Sequence, residues 1–451
     1  MERVKFVLIN PTAPEWRIGA GEQPRGSRYF RFSMLSSLYV AAAMPPHVET
    51  RIVDEDLEPI DFAIDADVVG ISFMTYNAPH AYEIADRFRQ ETGKPVILGG
   101  YHPTFMPEEA IAHADAVCVG DAEGTAPRIM EDLAADRRGQ IYRSEPCDLA
   151  GLPRPDWSLV NTKAYAPVSF IEATRGCSHR CRFCSITAFH HHLFRTRPVD
   201  DVIDELRSLG RYVVFMDDSI ICDREYAKEL FAAMIPLGKR WFSQCGIGIA
   251  DDDELLRLAC RSGCRGLFIG FESLNEAGLR SWNKQANVGK DYLAAVRKLH
   301  AGGIAICAAF VFGGDHDTSD VFERTLEFLL DANVETVQAT RLTPFPGTPL
   351  FEEMDREGRI FDKDWSHYDF NHVVFEPNHM SRDTLDAGVG WLVREFHTRR
   401  RIATRALRCF RYLDPMVVLG GVAPVNLGWR VKLAADGSFA KGAGPVPWAP
   451  D

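Results

Sequence analysis

The 451-residue chain has no apolar run approaching the roughly 18 residues that a bilayer span requires. Its longest runs, such as "PMVVLGGVAPV" at 415–425, fall well short, so no membrane span is predicted. The opening residues, MERVKFVLINPT, enter a strand-like run without the basic flank, apolar core and cleavage site of a secretory leader. Positive charge is not in excess either: the net charge is -12, so no basic field covers the molecule as a whole, which argues against nucleic acid as a partner. Internal repeats are absent, and the one biased block is the Gly-, Pro- and Ala-rich tail at 434–451, where poor order is expected. What remains is ordinary globular composition, 46% apolar and 25% charged, long enough for two to four domains. A soluble cytoplasmic protein is expected, and in that reducing compartment its eleven cysteines are better suited to metal than to disulfides.

Two series of strand and helix signals follow one another. Short apolar or β-branched runs at 4–9, 50–53, 68–73, 95–98 and 116–119, with helical patterns between them as at 78–90, predict a doubly wound parallel sheet. Ligands bind beyond the carboxyl ends of such strands, which here carry "SFMTYN" at 72–77, "GGYHPT" at 99–104 and "GDAEG" at 120–124. A proline-rich stretch at 145–157 separates this part from a second series, with strand-like runs at 168–172, 212–216, 241–249, 266–271, 304–312 and 336–342. Amphipathic helices are predicted at 198–209, 225–237 and 289–300. Six such units fit a partial (β/α) barrel better than a closed eight-stranded one. Beyond 361 the pattern is mainly helical to about residue 408. The expected division is 1–145 sheet domain, 146–165 linker, 166–360 barrel, 361–433 helical domain and 434–451 tail.

The sharpest signal is "RGCSHRCRFCSI" at 175–186, with Cys177, Cys181 and Cys184 in a C-x3-C-x2-C frame and Phe183 before the last thiol. It follows the first strand of the second series, at the mouth of the barrel, where active sites of this architecture are built. The i, i+4, i+7 spacing also fits one face of a buried helix, but the surrounding Ser178, His179, Arg180 and Arg182 argue against that. Zinc is a stronger rival, since His179 or one of His190, His191 and His192 would complete a tetrahedral set. An iron–sulfur cluster held by three thiolates leaves one iron without a protein ligand, open to a cofactor or substrate. Arg175, Arg180 and Arg182 are then expected to offset its negative charge.

These residues resemble the radical S-adenosylmethionine (SAM) enzymes, whose hallmark is matched by Cys177, Cys181, Phe183 and Cys184. The resemblance implies a [4Fe–4S] cluster whose open iron takes the amino and carboxylate groups of SAM. An electron from a reductant such as flavodoxin or ferredoxin then cleaves SAM to methionine and a 5′-deoxyadenosyl radical, which abstracts hydrogen from an unactivated carbon of a small-molecule substrate. By the same resemblance Phe183, Asp217 and Asp218 in "FMDDS", Gln244, and Glu272 and Ser273 in "GLFIGFES" are SAM contacts. The "DD" replaces the Gly-Gly-Glu element of many relatives, and the "GLFIGFES" segment is one residue short of their commonest spacing.

The segments "VILGGYHPTFMPEEA" at 96–110, "VCVGDAEG" at 117–124 and "LTPFPGTPLFEEM" at 342–354 resemble the subgroup with an N-terminal cobalamin (B12)-binding domain. This implies a corrinoid lined by Ser72, Thr75, Gly99, Gly100, His102, Gly120 and Glu123. The D-x-H-x-x-G motif that gives many corrinoid proteins an axial histidine is absent. The implied reaction is C-methylation in a biosynthetic pathway, in which one SAM methylates cob(I)alamin and a second yields the radical. Ring closure or rearrangement with a vestigial B12-type sheet is the alternative. A zinc module, colourless and iron-free, and an electron-transfer protein, indifferent to SAM, are the readings from other classes. The pair Cys260 and Cys264 lacks a third thiol nearby, the histidine run 190–192 reads as a polar loop, and Arg17, Arg25, Arg28 and Arg31 read as solvated surface arginines.

Overall fold

A computed structural model describes residues 3–13, 31 and 34–435. Arg17, Arg25 and Arg28, and the expected tail beyond residue 435, lie outside the described residues. Strands β1 (Val4–Asn10), β2 (Val48–Asp54), β3 (Val68–Ser72), β4 (Val96–Gly99), β5 (Ala116–Val119) and β6 (Gln140–Arg143) form one sheet in the order 2-1-3-4-5-6, parallel throughout. Along β1, Phe6 and Leu8 enter one apolar core and Val7 and Ile9 the other. That two-sided burial is what a parallel sheet covered by helices on both faces requires. Helix Ala78–Thr92 shows the local logic: Pro79 stands in its first turn, Ala81, Tyr82, Ile84, Ala85 and Phe88 are buried, and Gly93 ends it at φ 68°.

The second series starts with β7 (Ser169–Ile171) and then two short strands, β8 (Thr174–Gly176) and β9 (Phe194–Thr196), which pair with each other antiparallel. It continues with β10 (Tyr212–Phe215), β11 (Arg240–Cys245), β12 (Cys264–Glu272), β13 (Ala305–Phe312) and β14 (Thr336–Arg341). The parallel order is β14-β13-β12-β11-β10-β7, and its end strands do not pair with each other, so the barrel is partial as expected. One large core, from Ile171 to Phe396, fills it and reaches helix Arg382–Phe396, which packs on β14 and on helix Val321–Asp331.

Several expectations shift. Strand β6 was not anticipated, since "QIYR" is too short to stand out, and the β8/β9 ladder was missed for the same reason. The strand expected at 241–249 stops at Cys245, because Ile247–Asp251 turns into a 3-10 helix after Gly246. Helices Arg399–Cys409 and Ala423–Ala435, joined through a π-helical turn Val418–Val422, carry the fold past residue 408. No helix among the described residues is long and apolar enough to cross a membrane.

Candidate active site

The cysteine loop leaves from β8 and returns through β9, so both of its ends are tied by one ladder, Thr174 to Thr196 and Gly176 to Phe194. Gly176 sits at φ 83°, and a Cβ there would lie 2.1 Å from the Leu193 carbonyl oxygen. Glycine is therefore obligatory at the root of the loop. The return is made by His191 and His192, both with positive φ, after the short helix Ser185–Phe189.

All eleven cysteines are free thiols. Among the described residues, the ligand atoms of Cys177, His179 and Cys222 lie within 4.8 Å of one another, whereas Cys177, Cys181 and Cys184 do not form so tight a set. Sulfurs around one tetrahedral zinc stand about 3.8 Å apart; a cuboidal cluster with one iron per thiolate needs wider spacing. Cys222, overlooked in the sequence, has its sulfur 3.6 Å from that of Cys177, close enough for one thiol to donate to the other. The only signal for it was its place shortly after "FMDDS", beyond the end of β10.

Two of the three expected arginines are engaged elsewhere. Arg182 pairs with Glu353, and Arg175 with Glu172, Glu123 and Asp121. The cation acting on Cys181 and Cys184 is instead Lys284. Burial pushes the Cys181 thiol up to about 11, and Lys284 opposes that shift. Burial pulls Lys284 towards the neutral form, but Glu272, 2.7 Å away, wins and keeps it charged. Glu272 ends β12 at φ 65°, where the pairing with β13 slips between Gly270 and Glu272. This bulge aims the carboxylate at Lys284.

Asp217 and Asp218 follow β10. Asp217 is 3% exposed, and its two oxygens accept from Ala173 N (3.2 Å) and Thr174 Oγ1 (2.6 Å), so it secures β8; burial raises it to about 7. Asp218 Oδ2 accepts from Gly176 N (2.8 Å), and burial raises this carboxyl to about 6. Gln244, on β11, donates to the Asp218 carbonyl (2.9 Å). Ser273 is buried, with its hydroxyl accepting from Asn275 N, and Phe183 packs edge-on against Trp282 at 5.5 Å.

On the other side, Ser72, Gly99 and Gly120 stand at the carboxyl ends of β3, β4 and β5, with Thr75 buried just beyond β3. Gly100 has φ 101°, and a Cβ would come within 2.8 Å of the Phe73 backbone. His102 is fully buried rather than solvent-facing: Nε2 is 3.3 Å from Glu109, Nδ1 has no partner, and the ring meets Trp365 edge-on at 5.2 Å. Trp365 Nε1 donates to Glu109 at 3.1 Å, which brings the segment after the barrel onto the first sheet.

A buried ion network joins the halves. Arg175, two residues before Cys177, reaches Glu123 (2.8 Å) and Glu172 (2.7 Å), while Arg195 reaches Asp121 (2.8 Å). His190 is buried as well, accepting from Arg195 at 3.0 Å, and burial lowers it to about 4, so it stays neutral. The polar-loop reading of the histidine run therefore fails at His190.

Three reduced thiols on one loop, with the charge of the part-buried Lys284 acting on two of them, are a donor set that suits a [4Fe–4S] cluster with one open iron. Buried atoms without partners, Asn10 Nδ2, Asn77 Oδ1 and His102 Nδ1, follow the carboxyl ends of β1, β3 and β4. Such atoms cost about 1–3 kcal/mol each when nothing meets them, so they fit a polar ligand such as a corrinoid.

The Radical SAM superfamily model matches residues 171–329 and the B12 binding domain model matches 27–130. The chain is 36% identical to bacteriochlorophyllide d C-12(1)-methyltransferase of Chlorobaculum tepidum over 89% of both chains. It is 27% identical to bacteriochlorophyllide d C-8(2)-methyltransferase of the same organism, over 74% of this chain and 78% of that one. In fold it resembles the radical SAM methyltransferase TsrM of Kitasatospora setae, solved with cobalamin and a [4Fe-4S] cluster, at TM-score 0.64 and 16% identity over 92% of this chain and 90% of that one. Sequence, fold and paired domains agree: the chain belongs to the radical SAM enzymes that carry a B12-binding domain.

Proposed function

We propose that the protein is a cobalamin-dependent C-methyltransferase acting on an unactivated carbon of a small molecule, with a chlorin-type tetrapyrrole as substrate class. One observation carries the reading: Arg175 of the cysteine loop is paired directly with Glu123 of the corrinoid-side loop, at 2.8 Å. Two loops so joined set a radical source and a methyl carrier side by side, as methylation of an inert carbon requires. The substrate class comes from the names of the two methyltransferase relatives.

Bound in these sites, the cluster with SAM supplies a hydrogen-abstracting radical and the corrinoid supplies the methyl group. The chain's own residues hold and shield. Cys177, Cys181 and Cys184 would hold the cluster and Lys284 would moderate its negative charge, while Glu272 keeps Lys284 protonated. Asp218 would accept from the SAM ammonium through the oxygen that Gly176 N leaves free, with Gln244 fixing its backbone. Asp217 acts at one remove, through β8. Phe183, Glu272 and Ser273 complete the SAM side. Ser72, Thr75, Gly99, Gly100, His102, Gly120 and Glu123 form the corrinoid side. A flavodoxin or ferredoxin supplies electrons. The domain division at 145, 165, 360 and 433 belongs to the same proposal.

The test is anaerobic incubation of reconstituted protein with SAM, cobalamin, a reductant and a chlorin bearing an ethyl or methyl substituent, read by mass spectrometry. A product heavier by one methylene, formed with 5′-deoxyadenosine and S-adenosylhomocysteine, is expected. Formation of 5′-deoxyadenosine with substrate oxidation or ring closure and no methyl gain would contradict the reading.

A further inference from the structure

The charge of the chain is unevenly placed. Residues 398–435 carry seven arginines and Lys432 against the single acid Asp414, in a chain whose net charge is -12. The same segment holds six of the large apolar side chains exposed among the described residues: Leu407 (70%), Phe410 (43%), Met416 (64%), Leu419 (61%), Leu427 (53%) and Val431 (69%). They are ordered along their elements. On helix Arg399–Cys409, Arg400, Thr404, Leu407 and Arg411 just beyond it follow helical spacing and are exposed, while Ile402, Arg405 and Cys409 are buried. Leu427 and Val431 are one turn apart on helix Ala423–Ala435, and Met416 and Leu419 one turn apart before it. Val418, Val422, Cys409 and Leu413 form the core beneath, so the exposed set is what lies outside an already closed core.

We propose that this C-terminal face docks on an anionic lipid surface, lying on the bilayer rather than crossing it. Arg399, Arg400, Arg408 and Arg411 are exposed on one helix and just beyond it, while Arg405 is buried and Arg401 pairs with Glu395. Exposed arginines beside large apolar side chains are what an interfacial face needs, the apolar groups entering the headgroup boundary and the guanidinium groups meeting lipid phosphates. Charge selects this occupant over a second copy of the chain, whose own face would repeat the positive charge. The face lies away from the reaction site: its core touches Ala305, the first residue of β13, and Tyr412 bonds Asn333 and Glu335 just before β14, whereas the candidate site is at the carboxyl ends of the barrel strands. The docked enzyme therefore keeps its mouth clear of the bilayer.

The test is co-sedimentation of the reconstituted full chain with phosphatidylcholine vesicles, with and without about one third phosphatidylglycerol. Binding at least about tenfold stronger to the anionic vesicles, and weakened by high salt, is expected. Arg400→Gln should weaken it about fivefold, and Leu419→Asp with Val431→Asp should abolish it while iron content stays unchanged. Equal or absent binding to both vesicles would overturn the proposal. So would concentration-dependent dimerisation that the aspartate variant abolishes, or vesicle binding that appears only after removal of residues 436–451, because another occupant would then hold the face.

Discussion

Cys222 and the three motif thiols make distinct predictions, because spacing separates them. Changing Cys177, Cys181 or Cys184 to alanine should abolish iron binding after anaerobic reconstitution, whereas Cys222→Ala should retain about four irons per chain. Loss of iron in Cys222→Ala, with Cys184→Ala still loaded, would assign the ligands to the tighter group of Cys177, His179 and Cys222. Asp217 gives a pH test. Burial raises its folded-state pKa from 3.8 to about 7, so the contribution of this carboxyl to stability is fully present below about pH 4 and is lost as pH rises to 7. The loss reaches about 4 kcal/mol at most. In Asp217→Asn apoprotein that loss is absent, so the variant should gain on the wild type between pH 4 and 7 in denaturant titrations. A difference that stays constant with pH would show that Asp217 is charged in the fold.

At the level of elements, the β8/β9 ladder is the hinge of the site. Gly176→Ala forces a Cβ onto the Leu193 carbonyl at 2.1 Å and places alanine at φ 83°. The backbone strain alone is worth about 1–3 kcal/mol, before the ladder shifts to relieve the overlap. Gly93→Ala is the control: it has positive φ but nothing within 4 Å, so it should lose only about 1–2 kcal/mol. Thermal unfolding should rank the two in that order, with iron uptake impaired in Gly176→Ala alone. Equal iron uptake would mean that the ladder does not position the thiols. The ladder itself was hidden in the sequence, since three-residue strands carry no usable period.

For the molecule as a whole, Arg175 is one of the links between the two sheets, beside Arg195 on Asp121 and Trp365 on Glu109. Arg175→Met leaves Glu172 and Glu123 without their cation and Asp121 with Arg195 alone, a loss of about 3–5 kcal/mol for a buried network. Limited proteolysis between β6 and β7 should accelerate, and corrinoid retention should fall more than iron content; unchanged rates would disconnect the network from domain docking. Both sheets were legible in the sequence because their strands are apolar runs ended by glycine or polar residues, as at Ser72, Gly99 and Gly120. The three motif thiols were legible because they are local. What the sequence hid is long-range or disguised: Cys222 is 45 residues from Cys177, Trp365 is 256 from Glu109, and Arg175 looked like a counter-charge for the cluster until its three carboxylate partners were seen. Lys284 lies in the polar stretch "WNKQAN" and carries no motif of its own; its partners Glu272 and the two thiols come from other segments.

The most direct test of the account is the amount of cobalamin and iron held by one preparation after anaerobic reconstitution with hydroxocobalamin, read from corrinoid absorbance and iron content after desalting. Near one corrinoid per chain beside a SAM-responsive cluster is the predicted result. A full cluster that responds to SAM, in protein that retains no corrinoid, would contradict it.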